Sequence, residues 1–248
     1  MRVLVTRPAD TAKGLVQQLK QIQAIPELFP TLEILPTLHQ AELKRAVAEL
    51  QAVDMAIFIS RAAVQFGMKA IKQRWHPLPT IQWAAIGPST ANVLAKQVNQ
   101  SIIFPPEPPY ETESLLALAP FQTIRGKKMV IFRGNGGREL LSQILQERGA
   151  TVEYVEVYRR VLPTFDVVEK LTLLRQHPPE LIVTTSAQCL NNLLSLVGSQ
   201  EKWVKEIPIV VVGLRMYELA NKLEFKRPIL APSADDTSII KVIAEWKG

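Results

Sequence analysis

The sequence repeats itself at a fixed offset. Val3-Leu4-Val5-Thr6-Arg7 aligns with Met129-Val130-Ile131-Phe132-Arg133, a separation of 126 positions (133 − 7). Ser60 and Ser186 share that separation, as do Gly87 and Gly213. Each match stands where an apolar run ends. Ser60 follows Met55-Ala56-Ile57-Phe58-Ile59, and Ser186 follows Leu181-Ile182-Val183-Thr184-Thr185. Gly87 closes Trp83-Ala84-Ala85-Ile86, and Gly213 closes Ile209-Val210-Val211-Val212. Ligands of α/β sheets bind just past the ends of buried strands, where backbone and side-chain donors converge. The repeat therefore predicts two similar lobes, each with such an edge, and a cleft between them.

A chain of 248 residues has room for one large or two small domains. At 47% hydrophobic and 21% charged it has a globular balance. No apolar run approaches the roughly 18 residues of a membrane helix, and the start, Met1 to Arg7, runs directly into a strand without a signal-peptide layout. The single cysteine, Cys189, makes no internal disulfide and lies beside Leu190, Leu193 and Leu194. It reads as a buried thiol in a reducing cytoplasm. The formal charge of +6 comes from dispersed residues with no basic run and no nucleic-acid motif. A modestly basic surface is the plainer reading; a small polyanion in a basic cleft fits the charge equally well. His39, His76 and His177 have no metal or triad spacing, and C-x-x-C, H-E-x-x-H and G-x-S-x-G are absent. Metal, thiol and serine-hydrolase chemistry therefore have no motif to rest on.

Buried strands alternate with amphipathic helices along both halves, which predicts parallel sheets with helices on both faces. Pro30 to Pro36 reads as an extended connector with prolines at both ends. A strand is expected over 151–158, ending at Tyr158, and a helix over 89–96 capped by Ser89 or Thr90.

Arg133-Gly134-Asn135-Gly136-Gly137-Arg138-Glu139 holds three of only 11 glycines, between a strand and a helix. Glycines there bring backbone N–H groups to an anion at a helix N-terminus; a tight turn that needs positive φ is the alternative. The flanking Arg133 and Arg138 favour the anion. The spacing is not a dinucleotide fingerprint, because Glu139 takes the third glycine position. Ser60, Thr185 and Ser186 read first as N-caps, and second as donors to a carboxylate. Arg7 and Arg133 are cations at equivalent strand ends, suited to bidentate carboxylate binding or to salt bridges. Tyr158 precedes Arg159 and Arg160. It is either a packing residue with a wet hydroxyl or, near two cations, a better proton donor than usual.

Taken in order, several segments resemble the uroporphyrinogen-III synthase family over nearly the whole chain. They are Val5-Thr6-Arg7-Pro8, Ile86-Gly87-Pro88-Ser89-Thr90-Ala91, Thr112-Glu113-Ser114-Leu115-Leu116, Phe132 to Arg138, Val157-Tyr158-Arg159-Arg160, and Thr185-Ser186 with Leu190, Asn192 and Leu193. Departures occur at Ile59, at Ala62 and at Gly213-Leu214-Arg215, where relatives often carry other polar residues.

The resemblance implies a cytoplasmic enzyme that cyclises hydroxymethylbilane with loss of water and inversion of the last ring, using no metal or organic cofactor. It implies Tyr158 as the catalytic group. It implies Arg7, Ser60, Gly87, Ser89, Thr90, Arg133, Gly134, Gly136, Thr185, Ser186, Gly213 and Arg215 as substrate-binding residues. A monomer without nucleic-acid or membrane partners is expected. With the proline-marked crossings at 30–36 and 158–163, it also implies an interleaved α/β fold. Residues 1–33 and 161–248 would form one lobe and 37–158 the other, joined by a two-stranded connector around an active-site cleft. A non-catalytic two-lobed module for a small anion, such as a sugar phosphate or nucleotide, is the alternative. A receiver-like regulator would need aspartates where Arg7, Ser60, Gly87 and Arg133 stand.

Overall fold

Short apolar runs and amphipathic segments alternate in the structure as they do in the sequence. The computed structural model describes residues 1–137 and 139–246, so Arg138, expected beside the glycine turn, and the last two residues lie outside the described residues. The chain begins β1 (Arg2–Val5), α1 (Ala9–Gln21), β2 (Ile25–Leu28), β3 (Glu33–Pro36) and α2 (Gln40–Ala48). It continues with β4 (Met55–Phe58), α3 (Arg61–Arg74), β5 (Gln82–Ala85), α4 (Pro88–Ala95), β6 (Ile102–Ile103) and α5 (Thr112–Leu116). Next come β7 (Lys128–Gly134), α6 (Leu140–Glu147), β8 (Thr151–Val161) and α7 (Val167–Gln176). The last part is β9 (Leu181–Val183), α8 (Ala187–Val197), α9 (Glu201–Glu206), β10 (Ile209–Val212), α10 (Gly213–Lys222), β11 (Pro228–Ala231) and α11 (Asp236–Glu245).

Two compact units interleave along the chain: Met1–Glu33 with Val161–Gly248, and Ile34–Arg160. The first unit holds a sheet in the order β11-β10-β9-β1-β2 with parallel pairings throughout. The second holds β3-β8-β7-β4-β5-β6, parallel from β8 to β6. The offset of 126 carries β1 to β7, β2 to β8, β4 to β9, β5 to β10 and β6 to β11. Each sheet therefore mixes strands from both copies of the sequence repeat. In both, strand order reverses beside the repeated strand, between β1 and β9 and between β7 and β4. Such reversals open a crevice at the C-terminal ends of the strands.

Every residue of β4 is buried, as a parallel strand covered on both faces requires. Neighbouring residues point to opposite faces. Val3 and Val5 pack with Leu15, Leu19 and Ile239, while Leu4 packs with Ile182, Leu190 and Val211. In the second unit Met55 and Ile57 meet Leu115 and Leu145, while Ala56 and Phe58 meet Val64, Trp83 and Phe132.

The extended segment expected at 30–36 contains a strand, β3, which joins the second sheet beside β8. Before it, Thr31 is buried and tied down: its N–H donates to the Thr6 carbonyl at 3.1 Å, and Asn192 Nδ2 donates to the Thr31 carbonyl at 2.8 Å. The strand expected to stop at Tyr158 continues to Val161. Neither Ser89 nor Thr90 caps α4; Gly87 does, with Pro88 as the first helical residue. The ring fixes the helical φ there and the missing N–H is one the first turn leaves unpaired anyway.

Candidate functional site

In the first unit, Ser186 ends the β9 edge and caps α8, its Oγ accepting from the Cys189 N–H at 3.1 Å. Thr185 precedes it, half-buried. Ser186 and the exposed Arg215 line one cavity of about 630 Å³, together with Asn191, Glu218 and Lys222. Gly213 opens α10 at φ +74 with nothing near its missing side chain. It is glycine because of the backbone it must adopt.

Arg7 belongs to the same edge but is not an open cation. It is 7% exposed, and its guanidinium donates to Asp236 Oδ1 at 2.5 Å and to the Ala234 carbonyl at 2.6 Å. Of the two readings the sequence allowed for Arg7, the structure shows the salt bridge: a carboxylate is supplied internally, from 229 positions away. Beside it, Asp235 caps α11. Hydrogen bonds from Ser233 and Ser238 hold its carboxyl at about 2.

In the second unit, Ser60 repeats the capping geometry of Ser186, accepting from the Ala63 N–H at 3.0 Å. It also does something Ser186 does not. Its Oγ lies 3.2 Å from the Tyr158 hydroxyl. Arg160 Nη2 donates to the same hydroxyl at 3.0 Å, and its guanidinium stands 5.5 Å from the ring centre. The ring is buried, 1% exposed, and stacks on Phe66 at 6.2 Å. Arg160 itself is exposed, so it closes the solvent side of the phenol.

Gly134 is explained by this ring. A Cβ there would stand 2.5 Å from ring atoms of Tyr158. It packs under the tyrosine and is buried at the end of β7, so its missing side chain makes room for the ring. Gly136 is exposed at φ +65 with open space around it. Arg133 is likewise engaged within the protein. It is 4% exposed, donates to the carbonyls of Gly134 and Gly136, and lies 4.3 Å over the Tyr154 ring. It organises the loop from inside. Gly87 is glycine because Tyr110 passes over it, with Tyr110 Cβ 2.9 Å from where a side chain would start. Thr90 is buried and Ser89 exposed. Another cavity, of about 560 Å³ beside Asp54, Gln82 and Lys127, holds none of the expected residues.

Of the two arginines that the sequence sets beside Tyr158, Arg160 meets the hydroxyl; two positions on along a strand, it shares the same face. Sequence reasoning missed Phe66 and Asp236. Asp236 had no signal, since nothing local pairs it with Arg7. Among the described residues, no three His, Cys, Asp or Glu side chains cluster as metal ligands, and no helix is long and apolar enough to cross a membrane.

The chain is a two-unit α/β protein, one unit of which carries a hydrogen-bonded phenol near the C-terminal end of a sheet strand. The family model described as uroporphyrinogen-III synthase HemD matches residues 13–241, and the chain belongs to the uroporphyrinogen-III synthase family. It is 32% identical to the uroporphyrinogen-III synthase of Escherichia coli, over 98% of this chain and 100% of that one. It is 33% identical to that of Proteus mirabilis, over 79% and 98%. Two solved structures share the fold at low identity. A mutant uroporphyrinogen-III synthase from the extreme thermophile Thermus thermophilus aligns with a TM-score of 0.63 at 16% identity, covering 99% of this chain and 100% of that one. The Helicobacter pylori enzyme aligns at 0.60 and 14%, covering both chains fully.

Proposed function

We infer that this chain carries out the uroporphyrinogen-III synthase reaction, closing hydroxymethylbilane to uroporphyrinogen III with loss of water and inversion of the last ring. The observation that carries this reading is the family match along the chain, with its relative from Escherichia coli at 32% identity end to end. The physical problem is largely one of conformation. The linear substrate closes unaided to the isomer without inversion, so the enzyme must hold the last ring in the other geometry.

The Tyr158 hydroxyl assists departure of the terminal hydroxyl of the substrate. Its oxygen has two neighbours able to donate to it, the Arg160 guanidinium and the Ser60 hydroxyl. With both donating, its lone pairs are engaged and its own proton is directed outward, toward a leaving oxygen. Loss of water leaves an azafulvene. The substituted carbon of the last ring attacks it, and the resulting spiro intermediate opens and recloses inverted. Gly136, Ser89 and the Ser186–Arg215 cavity, with Thr185 and Gly213 beside it, receive substrate carboxylates. Arg7, Arg133, Gly134 and Thr90 support these edges from within. The same reading has a monomer acting in the cytoplasm on a free small molecule.

The test is direct. Protein mixed with freshly made hydroxymethylbilane should yield type III porphyrin after oxidation. Type I alone would return the chain to the anion-binding alternative. Tyr158→Phe should lower kcat roughly 10- to 1000-fold, around the range of general acid catalysis, with residual product still type III. An unchanged kcat in the folded variant would make Tyr158 a packing residue.

A further inference from the structure

The end of β8 is irregular. Lys128 to Arg133 pair in step with Thr151 to Glu156, but Gly134 pairs with Tyr158, so Val157 is an extra residue on β8. Such a bulge re-aims the side chains that follow it. Without it, Gly134 would oppose Val157, and Tyr158 would face the other side of the sheet, because one step of register exchanges the faces. The Val157 carbonyl, left over by the bulge, accepts from the Thr37 N–H at 3.2 Å.

Past the bulge the ladder resumes for one residue. The Asn135 N–H donates to the Tyr158 carbonyl at 3.0 Å. A regular parallel ladder would next take the Arg160 N–H to the Asn135 carbonyl. Here the Arg160 N–H donates instead to Asn135 Oδ1, at 2.8 Å. The side chain stands in for the backbone where the chain turns into the glycine loop. Asn135 thereby grips β8 on both sides of Arg159, at the carbonyl of Tyr158 and the amide of Arg160. These are the two residues whose side chains meet at the phenol oxygen.

We propose that Asn135 is a positioning residue for the reaction: its side-chain oxygen holds the bulged end of β8 so that Tyr158 and Arg160 keep their hydrogen bond. The proposal rests on the reading of Tyr158 above. Asn135→Ala should lower kcat roughly 10- to 100-fold, the effect of displacing a reacting group by about an ångström, with KM changed far less. Asn135→Asp, which keeps an oxygen at the same place, should restore most of the rate. In a Tyr158→Phe background, Asn135→Ala should cost less than about 3-fold, since coupled residues do not add.

A readout independent of turnover separates the two ideas. The chain has four tyrosines, so ring-labelled protein gives a spectrum in which Tyr158 is assigned by its loss in Tyr158→Phe. Asn135→Ala should shift the Tyr158 ring signals, and Asn135→Asp should return them. Unmoved Tyr158 signals in a folded Asn135→Ala protein overturn the positioning role whatever the kinetics. A full additional loss of rate in the Tyr158→Phe background overturns it too. Shifted signals with a silent Tyr158→Phe would uphold the clamp and refute the catalytic reading of the tyrosine alone.

Discussion

Helices α1 and α6 are repeat equivalents that end together and begin apart. Their last residues, Gln21 and Glu147, keep the offset of 126 (147 − 21), but α1 starts at Ala9, whose equivalent is Asn135, while α6 starts at Leu140. Helix α6 thus begins five positions later than its counterpart (140 − 135), and 135–137 and 139 lie outside any helix. The cause lies in the residues just past the strand. Pro8 has a fixed φ and leads straight into a helix. Gly134, Gly136 and Gly137 stand in the other copy, the last two at φ +65 and +113, which right-handed helix does not allow. The arginine before each segment follows suit. Arg7 faces a carboxylate and closes its edge, whereas Arg133 donates to the loop's own carbonyls and holds it in shape. At the offset of 126 from Tyr158 the first unit has Leu32 (158 − 32), which is buried. One copy of the repeat was closed as structure, and the other was opened around a phenol.

Substitutions that make the two edges more alike should separate these roles. The largest effect is expected from Gly134→Val. Its side chain would collide with the Tyr158 ring, so kcat should fall at least as far as in Tyr158→Phe. Overpacking should also cost about 1–3 kcal/mol of stability by denaturant titration. A Gly134→Val enzyme with normal kcat would mean the ring position is unimportant.

Next in size is the arginine pair. Arg7→Met should lower stability by about 1–3 kcal/mol, as loss of charged hydrogen bonds does, while steady-state kinetics stay near normal. Arg133→Met should instead raise KM, because the glycine loop loses its internal support. Equal kinetic defects in both would erase the contrast between the edges.

The serine caps come third. Ser60→Ala and Ser186→Ala should each cost about 1 kcal/mol, the usual value of an N-cap. Only Ser60→Ala should lower kcat, because only Ser60 reaches the tyrosine. A matching fall in kcat for Ser186→Ala would show that capping alone disturbs turnover.

The smallest expected effect is on pH dependence. Asp235 has no carboxylate counterpart in the second unit, where Pro109 stands at the same offset (235 − 109). Its carboxyl is held at about 2 against an ordinary value of 3.8. A depressed carboxylate stabilises fully above its ordinary value, and the contribution fades as pH falls toward the folded one. Stability should therefore drop between about pH 4 and 2, and Asp235→Asn should flatten that part of the curve.

The parallel α/β class, the repeated strand edges and the capping places of Ser60 and Ser186 were legible in the sequence, because apolar runs, periodicity and cap residues are local properties. The glycine loop was legible as a place but not as a mechanism. That Gly134 makes room for an aromatic ring could not be read from it; Arg7 and Arg133 looked equivalent and have different partners. Asp236 and the bulge at Val157 had no local trace, and β3 was legible as an extended segment but not as a strand of the second sheet. A partner 229 positions distant, a strand that forms only when its neighbour is beside it, and a register slip of one residue all depend on which strands meet. Strand pairing and close packing are decided by the whole chain at once, so the side-chain contacts at the phenol emerge only in the folded protein.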